Sequence, residues 1–156
     1  MKKLVLIVFP AVLLFSCTGK PEDKSSAAAS IALTGTWHLI SGTTITGKDT
    51  VVTDYTKGQQ MLKIINDSHF SFVRHDLSQG KDPANKIFSA GAGRYTINGD
   101  QYTEHLDFCD LREWEGHSFN FTVSVDKDTL VQKGIEKLEN LGVDRLIIEK
   151  YARVSK

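Results

Sequence analysis

Arg94-Tyr95-Thr96-Ile97-Asn98-Gly99-Asp100-Gln101-Tyr102-Thr103-Glu104-His105-Leu106-Asp107-Phe108 decides the reading of this 156-residue chain. Asn-Gly adopts the positive φ angles of a two-residue turn at little steric cost, and here it divides two alternating segments, 94–97 and 101–108. That is the strongest short-range signature of a tight antiparallel hairpin. The pattern recurs on both sides. Asn66-Asp67-Ser68 divides residues 61–65 from 69–74, and Asp126-Lys127-Asp128 divides 118–125 from 129–133, each break having hairpin-loop length.

Residues 36–44 at the start and 145–154 at the end bring the count to about eight strands at nearly regular spacing. Short connections between many short strands predict an all-β fold, an eight-stranded antiparallel up-and-down barrel. One stretch departs from the period of two: Ile135, Leu138 and Leu141 recur every three residues before Gly142, which predicts one or two helical turns over 135–141. Residues 80–85, with Pro83, read as a polar loop.

Alternation assigns the faces. Phe119, Phe121, Val123 and Val125 share one side of their strand, opposite Asn120, Thr122 and Ser124, so the apolar set points inward. The same rule turns Phe70 and Phe72 inward, and likewise Tyr102, Leu106 and Phe108. It carries Arg74, Glu104 and His117 with them. A lone carboxylate or guanidinium inside a barrel costs several kcal/mol, so Arg74 and Glu104 need each other or a wet cavity. The expected site is therefore an apolar pocket lined by Tyr95, Tyr102, Phe70, Phe72, Phe119 and Phe121, in which Arg74, Glu104 and His117 orient the polar end of a small molecule. The alternative is a filled core in which Arg74 and Glu104 form a structural pair.

Other chemistry is weakly supported. His105, Asp107 and Cys109 alternate along one strand and could share a metal, but on the face assigned to solvent, so no metal or other cofactor is expected. Cys109, Glu113 and His117 lie within nine residues, yet nucleophilic catalysis also requires hydrogen-bonded contact and an oxyanion hole. Glu104 and Asp107 point to opposite faces, which removes them as a glycosidase pair. There is no phosphate-cradling glycine loop and no serine elbow. Trp114, in an acidic loop, is the candidate for an exposed interaction patch.

Nineteen basic residues balance nineteen acidic ones, which removes the electrostatic case for nucleic acid, and two cysteines are too few for a disulfide scaffold. Residues 1–16 have a basic start and a short apolar run broken by Pro10, the layout of a signal peptide and too short for an ordinary membrane span. Leu14-Phe15-Ser16-Cys17 resembles the lipobox of bacterial lipoproteins, in which the cysteine is lipidated; this implies Cys17 as the lipid anchor, and Thr18 after it, rather than Asp, resembles outer-membrane sorting in other lipoproteins, with the face of the membrane open. Residues 17–31, rich in Gly, Pro, Ser and charge, then read as a flexible tether. The lone Cys109 has no partner in the chain and reads as a small buried apolar residue.

The folded part, 32–156, opens with Leu33-Thr34-Gly35-Thr36-Trp37 and resembles a lipocalin (calycin), whose Gly-x-Trp lies on the first strand and closes one barrel end. In that resemblance Gly35 and Trp37 are the structural motif and Arg153 lies over the indole. The domain is also similar to lipocalin-like domains of Bacteroidetes lipoproteins, with Gly91-Ala92-Gly93-Arg94-Tyr95 and Tyr102-Thr103-Glu104 as the most similar stretches. Thr53-Asp54-Tyr55 spells a second lipocalin motif one strand too early for its loop, and no helix follows the last strand. These readings rank a lipid-anchored binder of a small apolar or amphipathic molecule first, an interaction module with a filled barrel second, and an isomerase or cyclase on the same barrel third. Oligomeric state is left open by the sequence.

Overall fold

The computed structural model describes residues 31–155; the expected signal segment, Cys17 and nearly all of the expected tether lie outside them. Nine strands follow in order: β1 Gly35–Thr46, β2 Asp49–Asp54, β3 Gln59–Ile65, β4 His69–Asp76, β5 Phe88–Asn98, β6 Gln101–Cys109, β7 Ser118–Asp126, β8 Thr129–Leu138 and β9 Val143–Arg153. Among the described residues there is no α-helix, only three short 3₁₀ turns. From β3 to β9 each strand pairs antiparallel with the next, and β1 closes the ring by pairing with both β3 and β9. The result is an eight-stranded barrel of up-and-down order, as the hairpin spacing predicts. The ninth strand, β2, pairs along the second half of β1, from Ser41↔Asp54 to Thr46↔Asp49, and leaves its outer edge unpaired.

The Asn-Gly hairpin forms with its loop one residue later than the dipeptide suggests. Asn98 pairs with Gln101, so Gly99 and Asp100 make the turn, and only Gly99 takes a positive φ, +60°. Glycine alone in the first loop position is the II′ arrangement, which matches the right-handed strand twist.

Two bulges reset the alternation. In β6, Leu106 pairs with Gly93 and Phe108 with Ala92, leaving Asp107 as the extra residue. Its carboxylate accepts from the Arg94 backbone N–H at 3.3 Å and from the Arg94 guanidinium at 3.0 and 3.1 Å. Phe108 therefore points outward and is 69% exposed, a correction to its expected inward position. Cys109 turns inward, which separates it from His105 and Asp107 and dissolves the shared face on which a metal was weighed. A β-carbon on Gly93 would overlap the carbonyl oxygen of His105, so the bulge requires glycine there. Gly93→Ala is expected to cost about 1–3 kcal/mol, the usual range for overpacking, read as a lower midpoint in urea denaturation; an unchanged midpoint would show that the bulge opens freely. In β1, Leu39 pairs with Tyr151 and Ser41 with Lys150, so Ile40 is the extra residue and Gly42 comes to face the interior.

The expected helix over 135–141 is strand instead. β8 runs to Leu138 in register with β9, followed by a 3₁₀ turn at Glu139–Leu141. Its inward residues are Leu130, Gln132, Gly134, Glu136 and Leu138; Ile135 faces out at 59% exposure. Two polar side chains on the inner face broke the hydrophobic alternation and left only a spurious period of three.

The barrel is solid toward one end and hollow toward the other. Leu33, Trp37, Leu39, Ile65, Phe70, Tyr102, Val123 and Leu130 fill the first part, each no more than 3% exposed. Trp37 donates its indole N–H to the Leu33 carbonyl at 2.7 Å, and the Arg153 guanidinium lies 4.0 Å from the Trp37 ring centre. Arg153 also donates to the carbonyls of Thr34 and Ala32, both at 2.9 Å, tying the chain entering the barrel to its last strand.

Candidate functional site

The hollow half begins above this plug. Its floor is set by β3, where Gln59, Met61, Lys63 and Ile65 alternate inward. The Lys63 ammonium, 2% exposed, donates to the Glu104 carboxylate of β6 and to Gln132 Oε1 of β8 at 2.8 Å. The rings of Phe70, Tyr102 and Tyr151 surround it, with centres 5.3, 5.6 and 5.9 Å from Nζ. A cation taken this far from water needs such compensation, from a carboxylate, an amide oxygen and π faces together. The partner of Glu104 is thus Lys63 rather than Arg74, and the expected Arg74–Glu104 alternative is replaced by this network.

Above the floor is a cavity of about 210 Å³. Phe72, Leu106, Phe119, Phe121 and Ile147 supply much of its apolar wall, while Lys63, Arg74, Arg145, Glu104, Glu136 and Glu149 supply charge. Arg145 of β9 pairs with Glu136 of β8 through Nε and Nη2, each 2.6 Å from the same oxygen. Arg74 of β4 donates from Nε to Gln59 Oε1 at 2.7 Å and stacks over Tyr55, 5.1 Å from its ring centre. Tyr55 is held there by its backbone N–H, which donates to Ile40 at the β1 bulge, and by the space above Gly42.

Glu149 accepts from the Tyr151 hydroxyl at 2.7 Å. Burial pushes the Glu149 carboxyl above its ordinary range, with the nearby Lys63 charge acting in the opposite sense. Burial likewise raises Tyr151, helped by the Glu149 charge, and raises Tyr102, helped by Glu104. The Tyr102 hydroxyl is buried with no hydrogen-bond partner among the described residues.

Of the residues read from the sequence as pocket-forming, Arg74, Glu104, Phe72, Phe119 and Phe121 line this cavity. Phe70 and Tyr102 lie in the packed core beneath it. Tyr95 stacks on Tyr102 with ring centres 5.2 Å apart and donates its hydroxyl to the Asn66 carbonyl at 2.8 Å, away from the cavity wall. His117 precedes β7, where its carbonyl accepts from Leu106 N–H, and its side chain is outside the lining. Trp114 is half-buried rather than presented to solvent. It lines the cavity, its ring centre 5.7 Å from that of Phe119 and 5.5 Å from the Arg145 guanidinium. Cys109 also lines the cavity; burial raises its thiol, and it contacts Asp110 at 3.7 Å rather than His117.

Sequence reasoning missed Tyr55, Lys63, Gln132, Glu136, Arg145, Glu149 and Tyr151 as cavity residues. A signal existed for Lys63: its cross-strand partner is Phe72, an assigned inward residue, once the Asn66-Asp67-Ser68 hairpin fixes the register. For β9 the run Leu146-Ile147-Ile148 is apolar on both faces and hides which set turns inward.

This closed barrel is compatible with a lipocalin-like domain. No family model and no curated protein matches the chain.

Proposed function

We propose that this is a lipid-anchored cell-envelope protein whose barrel holds a small amphipathic molecule in its hollow half. The cavity carries this reading: about 210 Å³ of space lined by aromatic and aliphatic side chains interspersed with charged ones. An apolar cavity of about 150 Å³ admits benzene, so the ligand is a ring or short branched chain bearing one or two polar groups. The anchoring component rests on the basic start, the apolar run and Cys17.

Native mass spectrometry of protein recovered from its own host is expected to show a bound small molecule that denaturation releases. Leu106→Trp places an indole in the cavity and is expected to abolish that adduct, and to abolish binding of added indole, while the circular dichroism of the barrel persists. Equal binding of indole by the two folded proteins would overturn the reading.

A further inference from the structure

The charges facing the cavity are three cations, Lys63, Arg74 and Arg145, and three carboxylates, Glu104, Glu136 and Glu149. Two pairs are closed within the protein, Lys63 with Glu104 and Arg145 with Glu136. Among the described residues, neither Arg74 nor Glu149 has an oppositely charged side chain within 4.0 Å. Each is nevertheless held in place. Arg74 is fixed through Nε by Gln59 and across its face by Tyr55, and neither terminal nitrogen donates to an acceptor among the described residues. Glu149 is fixed through Oε2 by Tyr151, and Oε1 receives no donor among the described residues. Arg74 and Glu149 line the same cavity, together with Tyr55.

A preorganised guanidinium fork with both terminal nitrogens free matches a carboxylate. A half-buried carboxylate with an oxygen open to the cavity matches an ammonium. A ligand with only one of these charges would leave the other protein group uncompensated and give a balanced cavity a net charge. Resting on the binding function proposed above, we infer that the ligand is a small zwitterion of the amino-acid kind, its carboxylate on Arg74, its ammonium on Glu149 and its apolar body against Phe72, Leu106 and Ile147.

Titration calorimetry with phenylalanine, 3-phenylpropionate, phenethylamine and benzyl alcohol separates the alternatives, since the four share a ring and differ in charge. Phenylalanine is expected to bind about ten- to a hundredfold more tightly than either singly charged analogue, the usual worth of one charge-assisted hydrogen bond. Arg74→Gln and Glu149→Gln, each checked for an intact thermal transition, are expected to bring phenylalanine down to the level of the analogues. Glu149→Gln should leave 3-phenylpropionate no weaker than before. If benzyl alcohol or either singly charged analogue binds wild-type protein as tightly as phenylalanine, the zwitterion is wrong and the binding cavity stands; if none of the four binds, both fall.

Discussion

Lys63→Met is expected to destabilise the barrel by about 3–5 kcal/mol, the cost of leaving one member of a buried ion pair without the other. Methionine fills much of the lysine's volume, so the loss reports charge rather than packing. Glu104, 7% exposed, then loses the ammonium that it shares with Gln132 and that three aromatic rings surround. Pairing the change with Glu104→Leu is expected to restore most of the loss, because a packed apolar pair of similar volume is often as stable as the ions it replaces. Urea denaturation of wild type, both single variants and the double variant measures the coupling directly. Additive losses in the double variant would show that the two side chains do not depend on each other.

Trp37→Ala is expected to cost about 3–5 kcal/mol, the range for removing a large ring from a packed core. The indole is fully buried, donates to Leu33 and lies beneath Arg153, so its loss opens the plug and releases the contacts of β1 with the entry chain at Leu33 and with β9 at Arg153. Arg153→Ala should cost less, about 0.5–2 kcal/mol for the cation–π contact. The chain has two tryptophans, so Trp114 becomes the sole tryptophan of the Trp37→Ala protein, and its emission, excited apart from the tyrosines, reports the cavity wall during unfolding. A Trp37→Ala protein within 1 kcal/mol of wild type would place the stability of the barrel elsewhere.

The architecture was legible because hairpins are local. Asn66-Asp67-Ser68, Gly99-Asp100 and Asp126-Lys127-Asp128 each join strands by a few residues, and each fixes a register without knowledge of the rest of the chain. The eight strands so located correspond to β1 and β3–β9; β2 escaped notice because Val51 and Val52 stand side by side and both are exposed, so nothing alternates. The site was less legible for two physical reasons. A bulge shifts parity by one, and those at Ile40 and Asp107 leave no mark that alternation alone can detect, so Phe108 and Cys109 exchanged faces. A hollow interior also tolerates Lys63, Gln132, Glu136, Arg145 and Glu149 on its inner surface, and an inward polar residue erases the contrast on which face assignment depends. Arg74 and Glu104 were recovered because their neighbours on the same face are aromatic.

The uneven filling of the barrel divides labour along its axis. The solid half behaves as a foundation, since its rings are tightly packed and removing one is expected to cost stability. The chamber above the Lys63–Glu104 floor is walled by side chains whose replacement reshapes the hollow more than it threatens the shell, so its interior can be refitted, by natural drift or in the laboratory, without rebuilding the base.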